Sequence, residues 1–496
     1  MHVNRVLEPF YLGRMARSSA RKAPGLAQAL LPIAVLVALL ATNVALFGDA
    51  SLDGANQLAL LFAAAVAVVI GMINGHGFDD LLEHVVRGIG TALGAILILL
   101  LIGALASTWM VAGIVPAMID HGLLLLSPKA FLFAACAVCC VISLATGSSW
   151  STAATVGIAL VGIGKAMGMH EGLVAGAVIS GAYFGDKLSP LSDTTNLAPA
   201  VAGGELFTHV RYMLNTTIPS ISLALLAFGL IGLFTDVKAD AADVSALRSA
   251  IQSRFSIGWW LYLPPLAVVL MIWRRMPALP ALFIGMLLGA LFMVLFQRPL
   301  LTELAGGGSF GDVYKAVLTV MGTGAELKTG NASVDDLLSA GGMSGMMGTI
   351  WLILCAMVFG GAMEGAGLLQ RVTAAILTRV RGEGSLIAAT AGSCVVVNAT
   401  ASDQYLSIVV PGRMFAQVYR DRGLAPQVLS RTLEDSGTVT SALVPWNTCG
   451  AYMSGVLGVA TMTYLPFAFF NLISPLMTIV QGMLGWRIAR LKPESR

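Results

Sequence analysis

Ten apolar runs of about 20 residues, each nearly free of charge, recur along this 496-residue chain. A helix of that length crosses the roughly 30 Å of hydrocarbon in a bilayer. The runs lie near 27–47, 55–74, 89–116, 172–200, 212–235, 256–273, 277–297, 342–368, 427–457 and 463–488. Two further apolar stretches, near 129–168 and 384–419, are interrupted midway by polar clusters. Each reads as a re-entrant hairpin or a pair of spans, and either choice returns the chain to the side it left. The expectation is an all-α membrane protein with about ten transmembrane helices and two interrupted hairpins.

Composition agrees: 57% of residues are hydrophobic and 11% charged, against about 25% charged in a soluble domain. The expected partners are the lipid bilayer and a small ion or small-molecule substrate. A net charge of +3, scattered among apolar segments, gives no footprint for nucleic acid. The six cysteines lack a CxxC…CxxC or Cys/His spacing, so they read as packing residues rather than disulfides or zinc ligands. Walker A, GxSxG and HExxH patterns are absent. This argues against ATP-driven transport and against those hydrolases, so neither enzymatic activity nor a resident cofactor is expected. The histidines fall in loops or near span ends, and none is assigned a relay role.

Lys and Arg accumulate on the cytoplasmic side of membrane proteins. The N-terminal tail with Arg5, Arg14, Arg17, Arg21 and Lys22 is basic and lacks a cleavage site. Arg274-Arg275, the stretch with Arg371, Arg379 and Arg381, that with Arg413, Arg420 and Arg422, and the C-terminal tail are also basic, whereas the loop at Asp49 and Asp53 and segment 298–340 are neutral or acidic. These signs alternate for ten crossings of a bacterial-type inner membrane, with both termini cytoplasmic. The chain then divides into a tail (1–26), a first half (27–235), linking spans with an external loop (236–341), a second repeat (342–488) and a short tail (489–496). Within 300–340, a flexible external loop or short surface helix is expected. Oligomeric state is not legible, and a homo-oligomer is compatible with the sequence.

The two halves share landmarks. Ala145-Thr146-Gly147-Ser148-Ser149 reappears as Ala399-Thr400-Ala401-Ser402-Asp403, offset by 254 residues. Ser180-Gly181 and Pro190 reappear as Ser436-Gly437 and Pro445, offset by 256 and 255. Met110-x-Ala112-Gly113 and Met363-x-x-Ala366-Gly367 differ by 253 to 254. The shared register suggests duplication of a unit spanning 89–235, and five intervening crossings would invert the second copy. Inverted repeats whose broken helices meet at the midplane are a recurring transporter architecture.

Segment 181–200 puts Asp186, Lys187, Ser189, Ser192, Asp193, Thr194, Thr195 and Asn196 inside a stretch that must cross the bilayer. Ionisable groups at that depth usually mark a solute path. Pro190 interrupts the helix and is expected to free carbonyls near Lys187 and Ser189. Unwound backbone survives there only around protein or a watery cavity. The second unit offers Glu434, Asp435, Asn447 and Thr448 around Pro445, facing the tips with Ser148, Ser149, Thr400, Ser402 and Asp403. Carbonyls, hydroxyls and a carboxylate suit a hard cation such as Na⁺, expected at Asp193, Ser192 and Ser148. A proton-coupled exchanger also needs a carboxyl that releases its proton when the cation arrives. Asp193, Asp403 and Asp435 are the candidates, and Asp186, expected to be neutralised by Lys187, ranks next. The structural alternatives are hydroxyls bonded one turn back, Lys187 snorkelling to the surface, and Glu434 and Asp435 as a helix start.

FGDKLSPLSDTTNLAPA resembles the signature region of the NhaC family of Na⁺/H⁺ antiporters, and VPWNTCGAYMSGVLGV resembles its second-half counterpart. ATGSSWSTAATVGIAL and NATASDQYLSIVVPGRMF are similar to the family's two interrupted regions, and the likeness covers roughly residues 55–485. The resemblance implies a transport domain moving against a scaffold, with Na⁺ exchanged for H⁺ by alternating access. It also implies an alternative, because the family includes exchangers of organic acids such as malate and lactate, or of amino acids. In that case Lys187 would hold a substrate carboxylate. A channel through the same polar ring is disfavoured by two closed half-sites.

Overall fold

The architecture is taken from a computed structural model that describes residues 22–47, 51, 54–125, 127–234, 241–327, 335, 338–378 and 380–491. The basic tail positions up to Arg21, the C-terminal Lys492, Asp49, Asp53 and Arg379 lie outside the described residues.

The described residues are overwhelmingly helical. The first half contains α1 (Leu26–Phe47), α2 (Ala55–Ile73), α3 (Phe78–Val111), α4 (Ile114–Leu125), α5 (Pro128–Thr146), α6 (Ser149–Thr152), α7 (Ile158–Ala166), α8 (Glu171–Leu188), α9 (Asp193–Ala202) and α10 (Leu206–Phe234). The middle contains α11 (Ala241–Arg254), α12 (Leu263–Trp273), α13 (Ala278–Phe296), α14 (Arg298–Ala305) and α15 (Phe310–Thr323). A two-stranded antiparallel ladder follows, β1 (Ala325–Glu326) with β2 (Ser339–Ala340). The second half contains α16 (Met347–Gly365), α17 (Leu368–Leu377), α18 (Glu383–Thr400), α19 (Gln404–Asp421), α20 (Pro426–Leu433), α21 (Thr448–Leu457), α22 (Thr461–Tyr464) and α23 (Phe469–Leu484).

Seven described helices are long and apolar enough to cross a membrane, or nine if each of two bent pairs forms one span. The difference from ten has a local cause. The expected crossing 172–200 is broken into α8 and α9, and 427–457 is broken into α20, a π turn, a 3₁₀ turn and α21. Conversely α5, the first arm of a hairpin, is itself long enough to span.

Helix α13 illustrates the packing. Leu279, Phe283, Leu287, Leu291 and Leu295 form an exposed stripe every four residues, suited to lipid, while Ala281, Gly285, Gly289 and Met293 face inward. Small residues on the inner face let backbones approach closely, and Trp109 of α3 donates its indole N–H to the Gly285 carbonyl at 3.0 Å.

Each half carries a hairpin and a broken helix. The first tip turns at Gly147 (φ 70°) and the second at Ser402 (φ 58°), 255 residues later. Ser148 caps α6 and Asp403 caps α19, while Ser192 and Asn447 occupy the residue just before α9 and α21; each pair keeps the spacing of 255. Even the tie from hairpin to broken helix recurs. Ser143 donates to the Ala182 carbonyl, and Asn398, 255 residues on, donates to the Gly437 carbonyl.

Candidate ion-binding site

The first break follows from chain chemistry. Pro190 has no N–H to continue the ladder of α8, so the chain leaves the helix at Ser189 and re-enters one at Asp193. The carbonyls this strands are taken up locally. Thr195 Oγ1 bonds to those of Asp186 (3.0 Å) and Lys187 (2.9 Å), and Asn196 Nδ2 to those of Pro190 (2.9 Å) and Ser192 (2.7 Å). Ser189 Oγ accepts from the Leu191 N–H at 3.3 Å. Thr195, Asn196 and Ser189 thus shape the break rather than line its open side.

A cavity of about 760 Å³ opens where the two tips and the first break converge. Its wall takes Thr146 and Ser148 from the first tip, Asp186, Ser192, Asp193 and Thr194 from the break, and Asp403 from the second tip, with Thr448 at the start of α21. Ser148, Ser192 and Asp193, where the sequence suggests Na⁺, all lie on this wall.

Of the three acidic groups on this wall, Asp186 accepts the most side-chain hydrogen bonds. Its two carboxylate oxygens accept from Ser149 and Ser192 hydroxyls, both at 2.6 Å, the short distance of a charge-assisted bond. Ser192 Oγ also lies 3.2 Å from Thr194 Oγ1. Asp193, one residue further, is exposed to the cavity. Asp403 is buried, and one of its oxygens accepts from the Leu406 N–H at 2.9 Å.

The second break supports this arrangement from behind. Asn447 Nδ2 donates to the carbonyl and side-chain oxygen of Asn398, both at 3.1 Å, while the Thr448 N–H reaches the Ser402 carbonyl at 3.0 Å. The Ser402 hydroxyl is buried without a hydrogen-bond partner. Thr400 bonds back to the Val396 carbonyl at 2.7 Å, the structural alternative for a helix hydroxyl. The halves also clasp each other directly: Trp150 and Tyr452 stack with centroids 3.8 Å apart, and Tyr452 donates to the Trp150 carbonyl at 3.0 Å.

Lys187 and Asp435 are elsewhere. They form a fully buried ion pair behind the cavity and are absent from its wall. The expectation that Lys187 neutralises its neighbour Asp186 is therefore replaced by a pairing across 248 positions of the chain. Consecutive helical residues point apart, so Asp186 can face the tip while Lys187 faces the interior. Among the wall residues not singled out as ligands from sequence are Gln404 and Tyr405, next to Asp403, and Arg275. Arg275 was legible only as an orientation signal, yet its positive φ of 66° marks a tight turn between α12 and α13.

Broken helices around a polar cavity, in a chain with many membrane-spanning helices, define a multi-pass transporter arrangement. Comparison with known proteins agrees. Residues 181–486 match the Na⁺/H⁺ antiporter family. The Na(+)/H(+) antiporter NhaC of Alkalihalophilus pseudofirmus is 36% identical over 92% of this chain and 95% of its own length. The arginine/ornithine antiporter ArcD of Halobacterium salinarum is 36% identical over 96% of this chain and 95% of its own. The malate-2H(+)/Na(+)-lactate antiporter of Bacillus subtilis is 35% identical over 88% of this chain and 90% of its own. This chain belongs to the Na⁺/H⁺ antiporter family.

Proposed function

We propose that the protein exchanges Na⁺ for H⁺ across the inner membrane by alternating access, with both termini cytoplasmic and its two halves inverted relative to each other. The observation that carries this reading is the charge of the cavity wall, which holds the carboxylates Asp186, Asp193 and Asp403 against a single guanidinium, Arg275. An acidic, hydroxyl-rich wall suits a hard cation. In this reading Asp186, Asp193 and Asp403, with Ser148, Ser149 and Ser192, attract and hold Na⁺, and a buried carboxyl carries the proton. The common spacing of 255 residues between caps and tips supports duplication, and inversion of the copies would let one site face either side.

A second reading, exchange of small organic acids or amino acids, is favoured by one observation. A volume of about 760 Å³ is far larger than a bare ion needs, and Arg275 stands on the wall as a partner for a carboxylate. The names of two relatives point the same way. Lys187, the earlier candidate for that role, is engaged with Asp435.

Reconstitution in liposomes with a pH-reporting dye separates the readings. Addition of Na⁺ should move protons, while K⁺, malate, arginine or ornithine should not. A response to the organic solutes with none to Na⁺ would overturn the first reading in favour of the second.

A further inference from the structure

Behind the cavity lies a second polar centre that the exchange cycle described above leaves largely unused. The chain widens into a π turn over Glu434–Thr438, and such turns recur at functional sites. Asp435 is held by Lys187 and accepts from Thr216 at 3.2 Å; Lys187 also donates to Ser474 at 3.0 Å. Arg431 donates to Gln481 at 2.9 Å, lies 4.8 Å from the Tyr212 ring centroid, and has its Nε 3.9 Å from Asp435. All of these ionisable groups are fully buried.

Glu434 is the exception within this network. It too is fully buried, but neither carboxyl oxygen has a hydrogen-bond partner within 3.5 Å; only the Thr438 hydroxyl, itself unpaired, approaches it from the same turn. An ionised carboxylate in that condition costs far more than a neutral carboxyl, so the geometry is that of a protonated acid. A partner for the ionised form is already at hand. Arg431 stands three residues earlier on the same helical face, and its Nε and Nη2 also lack hydrogen-bond partners. Charge balance agrees. Lys187 and Arg431 exceed Asp435 by one positive charge, which ionised Glu434 would cancel.

Among the described residues, Asp186 and Lys187 act on Glu434 from α8 and Asp435 from its own turn, while Arg431 of α20 pairs with Asp435. Helix α18 contributes the Cys394 thiol and α19 contributes Tyr419, which stands beside Arg431. His209 of α10 is bonded to Ser430 at 2.7 Å, Asp193 of α9 faces the cavity, and α23 presents the neutral Asn471, Ser474, Thr478 and Gln481.

We propose that Glu434 is the proton-carrying residue of the exchange, seated in a dry cluster separate from the cation cavity and coupled to it through the consecutive residues Asp186 and Lys187. This rests on the Na⁺/H⁺ reading and deepens it. A cation beside Asp186 repels the proton of Glu434 through a low-dielectric interior. The Glu434 O–H bond breaks, its electron pair stays on the carboxylate, which the positive charges of Lys187 and Arg431 stabilise, and the proton passes to water on the open side.

The test uses the full chain in liposomes, with Glu434→Gln and Glu434→Asp compared with wild type. Glu434→Gln should lose Na⁺-driven proton movement to the level of protein-free vesicles, and its Na⁺ half-saturation, read from Na⁺/Na⁺ counterflow, should no longer vary with pH. Glu434→Asp should restore proton movement with a displaced pH optimum. Should Glu434→Gln fail to fold, the Asp variant decides alone, since an unmoved pH optimum overturns the assignment. Proton movement persisting in Glu434→Gln overturns it while leaving Na⁺/H⁺ exchange standing. Absence of Na⁺-driven proton movement in wild type overturns both.

Discussion

Ser148 and Asp403 hold the same post in the two halves: each caps the helix that leaves a hairpin tip, and each contributes its side chain to one cavity wall. One is a hydroxyl and the other a carboxylate. The scaffold is thus repeated while its chemistry is not, and the negative charge of the second tip is a separable feature.

Replacing Asp403 by Asn tests that separation, because Asn caps a helix about as well as Asp, whereas Ala costs about 1 kcal/mol. Asp403→Asn should insert and melt like wild type in detergent yet lose Na⁺-driven proton flux. Asp403→Ala should lose flux and also melt earlier. Full flux in Asp403→Asn would remove this carboxylate from the cycle.

The paired hydroxyls on Asp186 lead to a graded expectation. Ser149→Ala or Ser192→Ala removes one of its two bonds at 2.6 Å and should raise the Na⁺ half-saturation about ten-fold, the usual scale for a supporting bond at an ion site. Asp186→Asn should abolish exchange. Half-saturation unchanged in both serine variants would mean that Asp186 is not part of the cation seat.

The buried pair Lys187–Asp435 calls for a double-mutant cycle. Breaking a buried ion pair from one side typically costs about 3–5 kcal/mol because a charge is stranded, while replacing both partners by apolar groups costs much less. Lys187→Met and Asp435→Leu should each lower the melting temperature in detergent more than the double variant does. Additive losses would show that the two charges are not each other's main partner.

Away from the helices long and apolar enough to span, Asp312 offers a pH-dependent helix start. Ser309, through its side chain and backbone N–H, holds this carboxyl below the ordinary carboxylate range, closing a capping box at α15. A depressed folded-state value means the contribution is present above the ordinary carboxylate range and is lost as pH falls through the lowered one. Amide protection at Ser309, Asp312 and Val313, taken relative to the intrinsic exchange rate at each pH, should therefore hold down to mildly acidic pH and fall below it. In Asp312→Ala, that protection should be low throughout.

Much of this was legible along the chain because its causes are local. Pro190 and Pro445 announce the breaks, clusters such as Thr146-Gly147-Ser148 announce the tips, and a repeated register survives in small polar residues that a helix interior would otherwise avoid. What could not be read was partnership across distance. Lys187 looked like a companion for Asp186, but the turn of α8 points it at Asp435, 248 residues away. Glu434 read equally well as a surface helix start, since nothing in its neighbours reveals that four other helices close over it. The ten expected spans exceeded the seven to nine the structure supports because average hydropathy is blind to a break of four residues.

Gly181 and Gly185 of α8 press against the backbone of α5 at Cys136 and at Ser143–Leu144, where any Cβ would collide. With the Ser143 bond to Ala182, these contacts fasten the first hairpin to the helix that carries Asp186. On the exchange reading proposed above, a hairpin and a helix fastened along their backbones would travel as one body rather than part from each other.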